Sequence, residues 1–135
     1  MGQSRVQVLG RDVRGPIGAE GLDAVPWSHS DTDATVEFTT NELTALCPIT
    51  GQPDFYELKL YYRPKGSLIE SKSLKLYLWS FRNDGIFYER AVNRILDDLV
   101  TKSSPKWMRV VGDFNTRGGI KSVITAVHGK APATR

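Results

Sequence analysis

The stretch Ile86–Thr101, IFYERAVNRILDDLVT, is the clearest helical signal in the chain and decides the fold class. Within it Val92, Ile95, Leu96 and Leu99 recur at intervals of three and four residues, while charged side chains occupy the other faces. An amphipathic helix of this kind is stable only when a second layer covers its apolar stripe. The segments on either side of it should supply that layer.

Those flanking segments alternate apolar and polar residues as half-buried strands do. The predicted strands are Ala34–Thr39, Phe55–Tyr62, Met108–Phe114 and Ile120–Val127. Asn115–Gly119, with its Gly-Gly pair, predicts a hairpin-like turn between the last two strands. Asn41–Gln52, which is rich in residues that break regular structure, is predicted to be a loop.

Ser67–Phe81 is compatible with two structures. Its alternate leucines suggest a strand, but a helix would gather the apolar side chains on one face and put Lys72, Lys75 and Arg82 nearly opposite. We prefer the helix because its polar face is cleaner. The predicted order is then strand, strand, helix, helix, strand, strand, which belongs to the α+β class.

The length of 135 residues, of which 40% are apolar, fits one domain with a small core. A core of that size usually gains stability from oligomerisation. Five of the twelve glycines lie within the first 30 residues, so residues 1–33 are predicted to form an N-terminal arm, either flexible or draped over the domain. The domain is expected to span residues 34–128, with a loose tail at 129–135.

The composition also disfavours several classes of protein. No run approaches the roughly 20 apolar residues that a membrane span needs, and no segment resembles a signal peptide. Cys47 is the single cysteine, which excludes an internal disulfide framework and a cysteine-built metal site. We therefore expect a cytoplasmic protein with no membrane partner and no metal site.

Charge is distributed unevenly along the chain. Residues 1–57 carry three basic and nine acidic side chains, whereas the remainder carries fifteen basic and six acidic ones, giving a net charge of +3. Six of those basic residues lie within 59–82, beside one acid. Such a block suits an anionic partner, either a nucleic acid or a phosphorylated small molecule, although a solvated charged face is the commoner explanation.

Cys47 is a candidate nucleophile because it lies in a loop rich in proline and glycine, where functional residues concentrate. A lone cysteine is more often a small buried hydrophobe. Asp54 follows seven residues later, at the start of the next predicted strand, so the chain can fold it back towards the sulfur. A thiolate beside a carboxyl group that carries protons is a workable covalent pair. His29 and His128 lie in the arm and the tail, which disfavours a cysteine hydrolase.

The segment Glu70–Lys75, ESKSLK, is a second candidate site. Two lysines three residues apart, with two hydroxyl groups near a predicted helix start, would form a cradle for phosphate. An ordinary amphipathic helix with solvated lysines explains the pattern equally well. The sequence contains neither the GxGxxG motif of a dinucleotide fold nor the Walker motif of a P-loop.

Glu89 lies in the first turn of the second predicted helix, with Tyr88 at the margin of the apolar stripe. Its carboxylate could accept the paired donors of a guanine-type base, or simply stabilise the positive end of the helix dipole. Arg117, Gly118 and Gly119 form a turn in which a cation and exposed amides could meet an anion.

Five motifs in a consistent order resemble the nitrile reductases of the queuosine pathway. They are LCPITGQPDF at 46–55, ESKSLKLY at 70–77, SFRN at 80–83, FYE at 87–89 and FNTRGG at 114–119. The similarity covers residues 34 to 127 and is closest to the short, single-module branch. It implies reduction of the nitrile of 7-cyano-7-deazaguanine to a primary amine with NADPH as cofactor.

The resemblance also implies a fold, the tunnelling fold shared with GTP cyclohydrolase I. In that fold an antiparallel sheet carries two helices on one face, and the subunits assemble into a ring-like homo-oligomer; two stacked rings are compatible with it. Active sites then lie at subunit contacts, so an isolated monomer should be inactive. No direct nucleic-acid partner is expected.

The residues that match the family's motifs take on roles by the same resemblance. Cys47 corresponds to the nucleophile that forms a thioimide with the nitrile carbon, and Asp54 to the acid that protonates the nitrogen. The residues implied to bind substrate are Glu89, Tyr88, Glu70 and Ser71. Those implied to bind NADPH are Lys72, Ser73, Lys75, Arg117 and Gly118.

Tyr88 departs from the family pattern, which usually has histidine before the substrate-binding glutamate. A phenol can donate a hydrogen bond, but it is not a cation near neutral pH as an imidazole can be. We predict that Tyr88 keeps a packing and hydrogen-bonding role, and that rate, pH dependence or substrate preference differ from the usual enzyme.

Two other functions compete with this one. A relative could pass the same thioimide to ammonia and form an amidine, but such an enzyme would not need the lysine-rich cofactor segment. A small nucleic-acid-binding module would use exposed aromatic residues, for which Tyr61, Tyr62, Tyr77 and Trp79 are candidates. That module would leave the spacing of Cys47 and Asp54 unexplained.

Overall fold

Two helices lie against one face of a four-stranded antiparallel sheet in the computed structural model of the chain, which describes residues 15–83 and 85–132. The strands are β1 (Ala24–Pro26), β2 (Val36–Leu46), β3 (Pro53–Arg63), β4 (Ser67–Ile69), β5 (Trp107–Arg117) and β6 (Ile120–Gly129). The helices are α1 (Ser71–Trp79) and α2 (Tyr88–Ser103), with single 3₁₀ turns at Ala19–Gly21 and Ser80–Asn83. The predicted α+β class and its order of main elements are confirmed.

The sheet has the strand order β2-β3-β5-β6, and its inner face forms the core. Alternate residues of β3 and β5 are buried, as the period of two in the sequence predicts. Tyr62 and Met108 face each other across these strands and are fully buried. Each large apolar side chain removed from water in this way contributes about 1.5–3 kcal/mol.

Helix α2 buries the predicted stripe, with Val92, Ile95 and Leu99 fully inside. Its close approach to the sheet depends on Gly112 in β5. A Cβ atom at that position would lie 2.7 Å from Cγ2 of Val92, closer than real carbon atoms approach. The absence of a side chain therefore lets the helix settle on the sheet.

The prediction of a loop over Asn41–Gln52 is wrong for its first half, because β2 continues to Leu46. The register of β2 against β3 shifts between Thr40 and Leu43. This irregularity moves the apolar positions out of phase with Val36 and Phe38, which hides the strand from a simple alternation test. The connection between β2 and β3 is thereby reduced to residues 47–52.

The single helix predicted over Ser67–Phe81 is also wrong at both ends. Residues 67–69 form β4, which pairs with β1, and the chain becomes helical only at Ser71. The Glu70 carboxylate accepts hydrogen bonds from the amides of Lys72 and Ser73, each at 2.8 Å. Such a cap fixes the start of a helix. At the other end, α1 is followed by the 3₁₀ segment Ser80–Asn83, in which the helix is more tightly wound.

Part of the predicted N-terminal arm covers the start of α1. Leu22 and Asp23 are buried, and β1 lies antiparallel to β4. Residues 1–14 of the arm, and residues 133–135 of the predicted tail, lie outside the described residues. Within 15–83 and 85–132, no helix has the length and hydropathy needed to cross a bilayer.

Candidate active site

A cleft of about 680 Å³ opens where the β2–β3 loop, the start of α2 and the β5–β6 hairpin meet. Six residues proposed from the sequence come together there: Cys47, Asp54, Tyr88, Glu89, Arg117 and Gly118. They belong to separate parts of the chain, and Asp54 and Arg117 are 63 residues apart. The fold thus assembles in one place a set of residues that no local motif contains.

The loop that carries Cys47 is a closed turn. The Cys47 amide donates to the carbonyl oxygen of Gln52, and the Gly51 amide donates to the carbonyl oxygen of Cys47, both at 2.8 Å. Gly51 has a φ of +74°, a conformation that suits glycine. The amide of Ile86 donates to the carbonyl oxygen of Leu46 at 3.1 Å, which fixes the loop against the segment leading into α2.

The Cys47 thiol is activated by its surroundings. Hydrogen bonds from the Thr50 hydroxyl group, and from the backbone amides of Thr50 and Ile49, lower the pKa of Cys47 to about 7. Partial desolvation opposes this effect, and Arg117 adds a smaller lowering. The thiolate is the reactive form of cysteine, and at this pKa it is well populated near neutral pH.

Asp54 is only 3% exposed, near the start of β3. A carboxylate buried to this extent is costly unless a partner compensates its charge. The partner is Arg117, whose Nη1 contacts Oδ1 of Asp54. The same nitrogen donates to the Tyr88 oxygen at 2.9 Å, and these contacts with Tyr88 and Asp54 raise the pKa of Arg117 above its ordinary value.

The β5–β6 hairpin positions Arg117. The two residues that follow it, Gly118 and Gly119, have φ values of +57° and +78°. A two-residue hairpin turn of type I′ has positive φ at both central positions, which is why the Gly-Gly pair marks the turn in the sequence. The register of the two strands shifts between Phe114 and Arg117, so the guanidinium group leaves the regular sheet beside Asp54.

Tyr88, the first residue of α2, both packs and hydrogen bonds. Its ring stacks on Phe114 with centroids 4.1 Å apart, and Phe114 stacks in turn on Tyr56 at 4.4 Å. Its hydroxyl group lies 3.4 Å from Oδ1 of Asp54, to which it donates. The phenol of Tyr88 is therefore held by aromatic contacts at the wall of the cleft.

Glu89 follows in α2 and is exposed at the cleft wall. The backbone carbonyl oxygen of Glu89 accepts a hydrogen bond from the Asn93 side chain at 2.8 Å. This bond does not involve the Glu89 carboxylate. Phe87, also exposed, lines the cleft beside it. A carboxylate next to an exposed aromatic ring is suited to a flat heterocycle that has N–H donors along one edge.

The other predicted residues lie away from this cleft, along α1. Ser71 and Lys75 line a separate groove of about 390 Å³, together with Arg82 and apolar side chains that include Leu74 and Trp79. Cations at the rim of an apolar groove fit a cofactor that combines flat rings with phosphate groups. Within one chain, however, the Cys47 cleft and this groove are lined by different residues.

Glu70 and Ser73 have partners inside the chain. The Glu70 carboxylate caps the amides at the start of α1, so these amides are not offered to a phosphate group. Ser73 is 0% exposed; its oxygen accepts from the Asp23 amide and its hydroxyl group donates to the Glu70 carbonyl oxygen, both at 2.9 Å. Ser73 therefore positions the segment, and a ligand would reach it only if this network opened.

Three residues were given no role of their own from the sequence. Thr50 lies within the quoted cysteine motif, but a threonine in a loop carries no signal of its own. Phe114 appeared only as a strand residue and in the motif FNTRGG, although its ring supports Tyr88. Arg82, at the rim of the second groove, appeared only on the polar face of the predicted helix and in the motif SFRN. Phe114 and Tyr88 are distant in sequence, so no local pattern reveals their contact.

The aromatic residues that a nucleic-acid-binding module would need are not all available. Tyr62 is 0% exposed and Tyr77 is 2% exposed, so neither can stack on a base. Tyr61 lies under the guanidinium group of Arg109, 4.6 Å from the ring centroid. In the described part of the chain, no group of three or more His, Cys, Asp or Glu side chains could hold a metal ion.

Comparison with known proteins identifies the family. A family model described as QueF-like protein matches residues 53–133. The chain is 46% identical to the NADPH-dependent 7-cyano-7-deazaguanine reductase of Syntrophus aciditrophicus over 127 residues, covering 94% of this chain and 89% of the relative. It is 44% identical to the enzyme of that name from Caldicellulosiruptor bescii, covering 95% of both chains.

A solved structure shares the fold. The crystal structure of the archaeosine synthase QueF-Like in the apo form matches with a TM-score of 0.69 at 22% identity, covering 75% of this chain and 99% of that one. Identity at this level supports the fold alone. With the family model and the curated relatives, the chain belongs to the QueF-like family of NADPH-dependent 7-cyano-7-deazaguanine reductases.

Proposed function

We propose that the protein reduces the nitrile group of 7-cyano-7-deazaguanine to a primary amine with NADPH, in the queuosine pathway. The observation that carries this function is the pairing of a thiol whose pKa is lowered to about 7 with a buried carboxyl group in one cleft. A nitrile is a poor acceptor of reducing equivalents, and covalent addition of sulfur divides the difficult reduction into easier steps.

The substrate is held by Glu89 and Tyr88 at the start of α2. The Glu89 carboxylate accepts the ring N–H and the amino group of the deazaguanine edge through charge-assisted hydrogen bonds. Phe87 and Tyr88 enclose the flat ring system. This orientation directs the nitrile group towards Cys47, which lines the same cleft.

Addition of sulfur requires one bond to form and one to break. The Cys47 sulfur forms a bond to the nitrile carbon, and one electron pair of the carbon–nitrogen triple bond moves to nitrogen. The nitrogen takes a proton from Asp54, which has received the proton that the thiol gave up, so the step is balanced within the site. The product is a thioimide in which carbon is joined to sulfur and doubly bonded to NH.

The groove beside α1 is the proposed cofactor site. Lys75 and Arg82 would hold the phosphate groups of NADPH, with Lys72 on the same helix, while the apolar wall accommodates a ring. When bound, NADPH supplies the reducing equivalents. Because a nitrile and an amine differ by four electrons, two molecules of NADPH are oxidised for each nitrile.

A homo-oligomer would bring the two parts of the site together. The Cys47 cleft and the Lys75 groove have no lining residue in common within one chain, yet the reaction needs substrate and cofactor in contact. We propose that the groove of one subunit completes the cleft of another, in a ring-like assembly. We also propose a cytoplasmic location, because the mechanism needs Cys47 as a free thiolate and a reducing compartment preserves it.

The test is to mix the protein with NADPH and 7-cyano-7-deazaguanine and to follow the absorbance of the reduced nicotinamide. The expected result is oxidation of two NADPH per nitrile and a product with the mass of the aminomethyl base. Protein that neither oxidises NADPH nor forms a covalent adduct under these conditions contradicts the proposal. An adduct that yields an amidine with ammonia, with no NADPH consumed, would identify the amidine-forming relative instead.

A further inference from the structure

Asp54, Tyr88 and Arg117 form a closed ring of hydrogen bonds at the wall of the cleft. Nη1 of Arg117 carries two hydrogens, and it donates to Oδ1 of Asp54 and, at 2.9 Å, to the Tyr88 oxygen. The Tyr88 hydroxyl group donates its own proton to Oδ1 of Asp54 at 3.4 Å. Each donor in the ring therefore has an acceptor, and the ring fixes the three polar groups relative to one another.

The two oxygens of the Asp54 carboxylate have different surroundings. Oδ1 accepts from both Arg117 and Tyr88, whereas Oδ2 accepts from no residue within 15–83 and 85–132. A proton on Oδ1 would have to displace one of these donors, and the bond from the guanidinium group is charge-assisted. Oδ2 can take a proton without that loss. It is therefore the oxygen suited to proton transfer.

Regular elements of the fold hold the members of the ring. Asp54 lies in β3, and Arg117 is the last residue of β5, directly before the hairpin turn. Tyr88 is the first residue of α2, and its ring is stacked on Phe114 with centroids 4.1 Å apart. Groups carried by strands and helices are placed more precisely than groups on loops. The ring thus sets the orientation of the carboxylate.

Arg117 lies apart from the cations of the proposed cofactor site. It lines the Cys47 cleft, whereas Lys75 and Arg82 line the groove beside α1. Both hydrogens of its Nη1 have acceptors inside the chain. The resemblance described above implies that Arg117 binds NADPH, but these contacts connect it to the buried acid.

We propose that Arg117 is a positioning residue for Asp54. With Tyr88 it holds Oδ1, so that Oδ2 receives the proton of the Cys47 thiol and gives it to the nitrile nitrogen. This inference rests on the proposed function, in which Asp54 carries that proton. The step is balanced, because one proton arrives and one leaves while Arg117 keeps all of its own. Arg117 therefore acts on the reaction through Asp54.

The experiment is a double-substitution cycle with Arg117→Ala and Asp54→Asn, in which turnover and the KM for NADPH are measured. Arg117→Ala alone should slow turnover by roughly 100-fold, the cost of misplacing a reacting group by about 1 Å, and leave the KM for NADPH unchanged. In the Asp54→Asn protein the same change should cost little more, because the group on which Arg117 acts is already absent. Arg90→Ala, which removes an exposed arginine that lines neither site, is the matched control and should leave turnover unchanged.

Guanidinium chloride at millimolar concentration provides a second measurement. The Arg117 side chain is 37% exposed, so its removal leaves a space that a small cation can enter from solvent. The ion should restore part of the turnover of Arg117→Ala. It should restore nothing in the double variant, where no carboxylate remains for it to pair with. Sodium chloride at the same concentration controls for ionic strength and should restore neither protein.

Additive effects on turnover would overturn the proposal, as would equal rescue of the single and double variants. A raised KM for NADPH at unchanged turnover would also overturn it, because Arg117 would then be a cofactor ligand. If Arg117→Ala loses its fold, judged by circular dichroism, Arg117→Lys takes its place in the cycle under the same criterion. Lysine keeps the charge but lacks the planar fork of donors.

Thermal unfolding of the same four proteins measures the pair without substrate. Contacting residues should give a smaller loss of stability in the double variant than the sum of the single losses. Additive losses refute the pairing even in an inactive protein. Coupled losses in a protein that neither oxidises NADPH nor forms an adduct confirm that Arg117 holds Asp54 and refute the reaction proposed for it.

Discussion

The Cys47 cleft and the Lys75 groove differ in how completely one chain builds them. In the cleft, Cys47, Asp54 and Arg117 come from three segments of the chain. Arg117 contacts Asp54 and also helps to lower the pKa of Cys47. The groove offers cations and apolar surface, but it has no reactive group that its neighbours tune. Under the proposed function, the folded monomer would therefore contain the groups that form the covalent bond, whereas the reduction would depend on a surface elsewhere on the subunit.

This difference predicts that bond formation and reduction can be separated by substitution. Changes in the cleft should affect the thioimide, and changes in the groove should affect only its reduction. The two readouts are adduct mass and NADPH oxidation.

The largest effect is expected for Cys47→Ala. Without the sulfur there is no nucleophile, so both the adduct and NADPH oxidation should be lost completely. Intact mass after incubation with the cyano base, and absorbance after addition of NADPH, check the two results. An adduct of the same mass in Cys47→Ala would mean that another residue is the nucleophile.

Asp54→Asn is expected to slow turnover by about 10²–10⁴-fold, the usual contribution of a positioned acid or base. Adduct formation should be retained better than reduction. The amide preserves the shape of the side chain but cannot supply a proton; addition of the thiol needs one proton on the nitrogen, whereas the reduction to the amine needs two more. Rapid quenching followed by mass analysis gives the rate of adduct formation, and steady-state absorbance gives turnover. Equal losses in both rates would show that the acid acts only in the first step.

Lys75→Ala should weaken the binding of NADPH without changing the formation of the thioimide adduct. Loss of one charge-assisted hydrogen bond to a phosphate group corresponds to about 1.5–3 kcal/mol, or roughly 10- to 100-fold in KM for NADPH. Lys65→Ala, which removes an exposed lysine outside both sites, is the matched control. An unchanged KM in Lys75→Ala would remove the groove from the cofactor site.

The pH dependence should distinguish the two regions in the unaltered protein. Because the pKa of Cys47 is lowered to about 7, the thiolate predominates above this value and is lost as the pH falls through it. Alkylation of Cys47 by iodoacetamide, which takes no proton from Asp54, should therefore decrease about tenfold for each pH unit below 7. Alkylation rates measured by intact mass between pH 5 and 8 test this, and a flat profile would show that thiol ionisation does not control the reactivity of Cys47.

The smallest effect is expected at Tyr88. Tyr88→Phe keeps the stack on Phe114 and loses the hydrogen bonds with Arg117 and Asp54, which should lower turnover by several-fold, equivalent to about 1 kcal/mol. Tyr88→His adds a group that titrates near neutral pH, so a new ionisation should appear in the pH profile. If neither variant changes turnover or substrate binding, the position matters little.

The sequence predicted the elements whose pattern is local. The α2 stripe and the alternation in β3 and β5 are visible within a few residues, and so is the Gly-Gly turn. The extension of β2 escaped prediction because a shift in register breaks its alternation after Thr40. Predictions based on period alone fail wherever a strand changes phase.

The candidate site shows the same division. Cys47 and Asp54 are close enough in sequence for a loop to join them, and their proximity was predicted. The contact of Arg117 with Asp54 spans 63 residues and depends on the pairing of β3 with β5, which no local pattern encodes. Glu70 was implied by the resemblance to bind substrate. Its position directly before Ser71 is also that of a helix cap, and in the structure its carboxylate caps α1.

The solitary sulfur of Cys47 also determines how the protein responds to oxidants. A thiol that is largely ionised at neutral pH reacts readily with peroxide to form a sulfenic acid. Since these 135 residues contain no second cysteine, the chain has no internal partner with which to close a protective disulfide. Further oxidation to the sulfinic acid is irreversible for most proteins, so the lifetime of the nucleophile depends on thiols supplied from outside the molecule.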